Sequence, residues 1–117
     1  MEEKRIIFKH KPALLENYKT LAQSEPKEYQ GFIYLWRCVP EDMYYIGSHK
    51  GKSYDDYRGS GTRFKYAYDY HGATKFERIV LEYLADTKNI KEREQDWMTK
   101  FNAVKSQWFY NMRNVRR

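Results

Sequence analysis

The chain has 117 residues, a length that holds one domain around a single hydrophobic core. Aromatic residues make up 18% of it, led by 12 tyrosines, which excludes a disordered chain and predicts an aromatic core whose phenol hydroxyls need partners. A net charge of +6 favours polyanionic partners without choosing among them, and the lone Cys38 excludes an intrachain disulfide and a cysteine-based zinc site.

Residues Met1–Tyr29 stand apart as an amino-terminal helical extension to a domain over 30–117. Met1–Arg5 is too charged for a secretory signal, and no apolar run approaches the roughly 20 residues of a membrane span, so a cytoplasmic, non-membrane protein is expected. After Pro12, the apolar residues Ala13, Leu14, Leu15, Tyr18, Leu21 and Ala22 recur at three and four, which predicts a helix over Lys11–Gln23 with a connector, Ser24–Gln30. Two aromatic and β-branched runs follow, Phe32–Val39 and Met43–Ser48. The turn signal Pro40-Glu41-Asp42 between them makes the pair an antiparallel hairpin. Lys50–Gly61, with three glycines and adjacent aspartates, reads as a loop. From Thr62 the stripe Phe64, Ala67, Tyr68 and His71 predicts a helix that Gly72 stops.

Phe76–Leu84, built on Ile79-Val80-Leu81, reads as a strand flanked by elements on both sides. Asn89 with Glu92 resembles a capping box and opens a helix to about Phe101 or Asn102. A short extended piece, Trp108–Met112, leads into a basic tail of Arg113, Arg116 and Arg117. The expected class is α+β: a small, mainly antiparallel three-stranded sheet flanked by helices, with an extra amino-terminal helix.

One residue of the last helix is out of place. Ile90, Trp97, Met98 and Phe101 form an apolar face, and Glu94 falls near its middle. A carboxylate there needs a cation or hydrogen bonds to offset desolvation. It is either a buried glutamate paired with Arg93, Arg78 or a tyrosine hydroxyl, or a metal ligand aimed into a cleft; periodicity does not separate the two. In the hairpin, Phe32, Tyr34 and Trp36 share one face, and Ile33, Leu35 and Arg37 the other. Tyr45, Gly47 and His49 share a face of the second strand, where Gly47 marks a bulge or a close backbone approach.

Gly31-Phe32-Ile33-Tyr34, with Tyr45-Ile46-Gly47 beginning eleven residues after Tyr34, resembles the paired motif of the GIY-YIG nuclease family. Tyr57-Arg58-Gly59-Ser60-Gly61 before a helix, Tyr70-His71-Gly72 before a strand, Glu92-Arg93-Glu94 with Trp97, and Tyr110-Asn111 follow in the order of phage-type members. The resemblance spans about Gly31–Asn111, departs from the family name in having Phe32 before Ile33-Tyr34, and suggests a virus or mobile-element origin.

It implies a DNA endonuclease with one divalent cation, magnesium or manganese, per active site. Glu94 would be the protein ligand to the metal, Tyr34 the general base on the attacking water, and Tyr45 the residue orienting water or phosphate. His49 and Lys50 would assist with positive charge, since a phenol of reference pKa near 10 is otherwise a poor base. Asn111 would tie the cleft together or contact phosphate. Arg58 is expected to stabilise charge on the reacting phosphate, with Arg63 as the competing candidate; Arg63 and Lys65 would hold the DNA backbone, as Lys50 would. Low sequence specificity follows from the lack of a base-reading module. A monomer would nick one strand and a homodimer break both. A nucleic-acid-binding module that keeps the fold without the chemistry is the alternative; a basic protein–protein adaptor would leave Glu94, Tyr34 and Tyr45 as accidents.

Overall fold

A computed structural model describes Lys11 and residues 13–115. Residues 1–10, Pro12 and the tail arginines Arg116 and Arg117 lie outside the described residues, and with them the proline start of the first helix and most of the basic tail.

The predicted helix over Lys11–Gln23 is shorter and divided. Helix α1 covers Ala13–Glu16, and a 3-10 turn covers Tyr18–Leu21. Asn17, at φ −127° and ψ 55°, breaks the helix between them. So short a helix has little stability of its own, and tertiary anchors set its path. The anchors are Leu15 and Tyr18, both buried. The Tyr18 hydroxyl donates to Glu77, and the Arg37 guanidinium lies 5.5 Å from the Tyr18 ring centroid.

The sheet has three antiparallel strands in the order β2-β1-β3: β1 Gly31–Cys38, β2 Met43–Lys50 and β3 Phe76–Leu84. The β1–β2 hairpin matches the expectation within two residues at each end. Its turn is closed by Asp42 at φ 51°, whose carboxylate accepts from Arg37 Nε and the Tyr44 hydroxyl, each at 3.0 Å.

Strict alternation divides the core in two. Ile33, Leu35, Tyr44, Ile46 and Leu81 face one side, against Leu15 and the α3 residues Ile90, Met98 and Phe101 (α3 is Ile90–Phe101). Phe32, Tyr34, Tyr45 and Val80 face the other, against Phe64 and Ala67 of α2, Thr62–His71. The apolar run of β3 therefore reports cover on both faces. In the ladder β3 is an edge strand, and a register shift lies opposite Ile33 and Tyr34.

Helix α2 stops at Gly72, φ 91°, a backbone conformation that costs a glycine little. The capping box expected at Asn89 does not form, because the Asn89 side chain makes no cap hydrogen bond. Three residues earlier the Asp86 carboxylate accepts the Lys88 N–H at 3.0 Å, so the turn into α3 is organised there. Trp108–Met112 runs beside β2 without becoming a strand, touching it through one parallel bridge between Tyr44 and Phe109.

Candidate active site

Pairing in the hairpin sets Tyr34 directly opposite Gly47. The Tyr34 side chain lies so close over that backbone that a Cβ at 47 would sit 2.2 Å from its hydroxyl oxygen. Gly47 thus serves a close approach, not a bulge; the irregularity of this sheet is in the β1–β3 ladder. Tyr45, on the same face, stacks on Phe64 with centroids 4.6 Å apart and 16° between planes. Its hydroxyl accepts the Gly61 N–H at 3.0 Å, and a Cβ at Gly61 would come within 2.6 Å of its ring. The two phenol rings are 6.4 Å apart.

Only 1% of Tyr34 is exposed. Burial first, then the neighbouring Tyr45, Tyr57 and Glu94, push its phenol well above the ordinary tyrosine range. Tyr45 is raised too, chiefly by burial, with the Gly61 N–H pulling the other way and Glu94 adding to the rise. With these partners alone both residues are neutral phenols at physiological pH.

A cleft of ≈ 680 Å³ opens along the free edge of β2, with Tyr45, Gly61, Lys91, Glu94, Asn111 and Arg113 among its lining residues. Glu94 is half-buried, and its Oε1 accepts the Ser48 hydroxyl at 2.5 Å. The pairings that the sequence left open are otherwise engaged. Arg93 binds Glu82 at 2.9 Å and Asp96 at 2.7 Å, while Arg78 donates to the Ser53 carbonyl and stacks over Phe32. Among the described residues no ion pair reaches Glu94. A carboxylate holding one hydroxyl and facing an open cleft fits a hard divalent cation that takes oxygen ligands and retains most of its waters.

Asn111 is 7% exposed, and its amide mimics a neighbouring strand. Its Oδ1 accepts the Ile46 N–H and its Nδ2 donates to the Ile46 carbonyl, both at 3.0 Å. Tyr44 completes the seam, donating its N–H to the Trp108 carbonyl and accepting from the Tyr110 N–H, each at 2.7 Å. These bonds join the carboxy-terminal segment to the backbone of β2 beside the cleft.

The other expected residues do not converge on Glu94. Arg58 lines a separate hollow of ≈ 230 Å³ with Lys65 and Tyr68, its guanidinium 4.8 Å from the Tyr68 centroid and its carbonyl accepting from Trp36 Nε1. Arg63 lies 5.9 Å from the Tyr110 centroid and lines a third hollow of ≈ 310 Å³ with Glu41, Tyr66 and Tyr70; only Tyr110 is shared between that hollow and the Glu94 cleft. His49 stacks on Tyr57 at 4.4 Å and binds Asp55 at 3.0 Å, so it meets Tyr34 mainly through the Tyr57 ring. Lys50 is exposed at the end of β2, and Lys65 is exposed on α2. Ser48 and Tyr57 were not singled out from sequence. Ser48 had a legible signal: it alternates with Tyr44 and Ile46 on the face that α3 covers, so it is a polar break facing the polar break at Glu94.

Residues 30–111 match the model of the GIY-YIG catalytic domain, and the chain belongs to the GIY-YIG nuclease family. It is 39% identical over 71 residues to a protein of Enterobacteria phage T4 named "Putative endonuclease segB". That stretch is 58% of this chain and 32% of the phage protein, so the chain spans about a third of that relative's length. No solved structure matches the chain.

Proposed function

As a member of that family the chain is, we propose, a divalent-metal-dependent endonuclease that hydrolyses DNA phosphodiester bonds in the cleft at the β2 edge. The observation that carries this reading is Glu94: a carboxylate on an apolar helix face, held by one serine hydroxyl and open to a cleft. It stands with the Tyr34–Tyr45 pair behind the cleft wall.

One magnesium or manganese ion on Glu94 would polarise the scissile phosphate and stabilise the leaving oxygen. The protein's own groups supply the rest. Ser48 fixes the Glu94 carboxylate by donating to one of its oxygens, leaving the other to the cleft. Tyr45, pinned by Phe64 and Gly61, orients water or phosphate at the wall. Burial and the carboxylate keep Tyr34 protonated, so its readiness to accept a proton depends on positive charge entering the cleft. Asn111 holds β2 against the carboxy-terminal segment, which fixes Tyr45 relative to Glu94.

The geometry favours reversing the two arginines. Arg63 lines a hollow that shares Tyr110 with the Glu94 cleft, whereas the hollow of Arg58 and Lys65 shares no lining residue with it; Arg63 would therefore stabilise the phosphate in its transition state, and Arg58 and Lys65 would hold the backbone of the bound DNA. Contacts of that kind predict affinity that falls steeply with salt.

The test is a plasmid-nicking assay at low salt with magnesium, manganese or EDTA, comparing wild type with Glu94→Gln. Cleavage that needs metal and is lost in the variant, with binding and melting temperature kept, is the expected result. Plasmid that is shifted but uncut in every metal would replace this reading with that of a binding module.

A further inference from the structure

We propose that Cys38, Glu41 and His71 form a second metal site, separate from Glu94, that takes a zinc-type cation. Cys38 ends β1, Glu41 lies in the hairpin turn, and His71 ends α2, so three segments converge on one point. The thiol sulfur, a carboxylate oxygen and an imidazole nitrogen all lie within 4.8 Å of one another. Ligands around tetrahedral zinc, bound at about 2.0–2.3 Å, stand roughly 3.5 Å apart. The longest separation must therefore close by about 1 Å, and the 2.7 Å His71–Glu41 contact must open slightly. Glu41 is exposed enough to make that adjustment, whereas Cys38 is fully buried and fixed by the strand.

Hydrogen bonding accounts for part of this cluster. His71 Nε2 meets one oxygen of Glu41, and the Tyr110 hydroxyl donates to the other at 2.5 Å. The Cys38 thiol joins that network at the Tyr110 hydroxyl, so all three candidate ligands meet around one tyrosine. The thiol directed at the same point is what turns a hydrogen-bonded pair into a ligand set. The expectation that a lone cysteine excludes a cysteine-based zinc site is corrected here: it excludes a thiolate-rich centre, but one cysteine still supplies one ligand of a mixed centre. That case is hard to see in the sequence because His71 lies 33 residues beyond Cys38.

Thiolate and imidazole select zinc or cobalt over magnesium, whereas the lone carboxylate of Glu94 suits the harder ion, so the two sites differ in what they accept. On binding, Cys38 loses its thiol proton to solvent, His71 Nε2 turns its lone pair to the ion with its proton on Nδ1, and a water takes the open position. The ion would staple the end of α2 to the hairpin turn, beside Tyr110.

Cobalt(II) reports this directly, since Cys38 is the chain's one cysteine. Titration of the full chain with cobalt should give a thiolate-to-cobalt charge-transfer band saturating at one equivalent and bleached by zinc. Excess magnesium should leave it intact. Cys38→Ser should abolish the band, and Glu94→Gln should retain it. The absence of a band in wild type, or a band that survives in Cys38→Ser, would overturn the site.

Discussion

The two edges of the sheet are closed in different ways. Along β3, backbone does much of the covering: Gln23 N–H donates to the Val80 carbonyl and Gln30 N–H to the Leu84 carbonyl, with the Gln23 side chain accepting from Tyr83. Along β2, one parallel bridge and one asparagine side chain stand in for a fourth strand. An unclosed strand edge is a hazard that proteins pair, cover or charge. Here the incomplete closure leaves the cleft, and residues from both faces of the sheet meet around it. Glu94 and Ser48 come from the α3 side, and Tyr45 from the α2 side. The edge that is less completely closed is the one that brings the residues of the proposed site together.

The sharpest way to break this comparison is to show that catalysis depends equally on residues away from the β2 edge. Arg63→Ala should lower kcat by about 100-fold or more, the range for removing a charge-stabilising donor from an active site. Arg58→Ala should chiefly weaken binding and reduce its salt dependence. Single-turnover cleavage at saturating DNA separates the two. The reverse pattern would return Arg58 to the catalytic role and detach the chemistry from this cleft.

Much of the fold was legible because its periods are clean. Alternation in the hairpin grouped Tyr34 with Trp36 on one face of β1 and set Tyr45 on a face of β2, which the structure joins against α2, and a period near 3.6 set the extent of α2 and α3. The amino-terminal helix was not legible in its length, because burial of Leu15 and Tyr18, not local preference, decides where that segment turns. The cap at Asn89 failed for a similar reason. A capping pattern states what a side chain is able to do, and the turn before α3 is held from Asp86. In the site, Glu94 was legible as an exception to its stripe. The arginines were not: Arg58, a loop residue, has no period to say which hollow it enters, and Arg63, in the first turn of α2, lies on the exposed side of that helix. For Asn111 the sequence left a tie and a phosphate contact both open, because the partner it bonds in the structure, the Ile46 backbone, is 65 residues away.

A smaller effect is expected from Asn111→Ala, which tests whether the β2 edge depends on one side chain. The change leaves a buried N–H and C=O of Ile46 without their partner. Unsatisfied buried groups cost about 1–3 kcal/mol each, and water from the adjacent cleft would reach part of the way, so a loss of about 2 kcal/mol is expected by urea unfolding. Cleavage should fall with it, because Tyr45 and Glu94 lose their common reference. Full stability in the variant would mean that the bridge at Tyr44 holds this edge alone.

The smallest effect belongs to the other edge. Gln23→Ala removes an exposed side-chain acceptor from the Tyr83 N–H, a 3.1 Å bond, and leaves the backbone bond from Gln23 to Val80 in place. Solvent replaces the lost acceptor at little cost, so the loss should stay below about 1 kcal/mol, and cleavage should not change. The contrast with Asn111 is then one of geometry, not of residue type. Both side chains are amides bonded to an edge strand, but one is buried against the cleft and the other lies in water. If Gln23→Ala proved as costly as Asn111→Ala, the edges would be equally dependent on single side chains, and incomplete closure would no longer distinguish the one that carries the site.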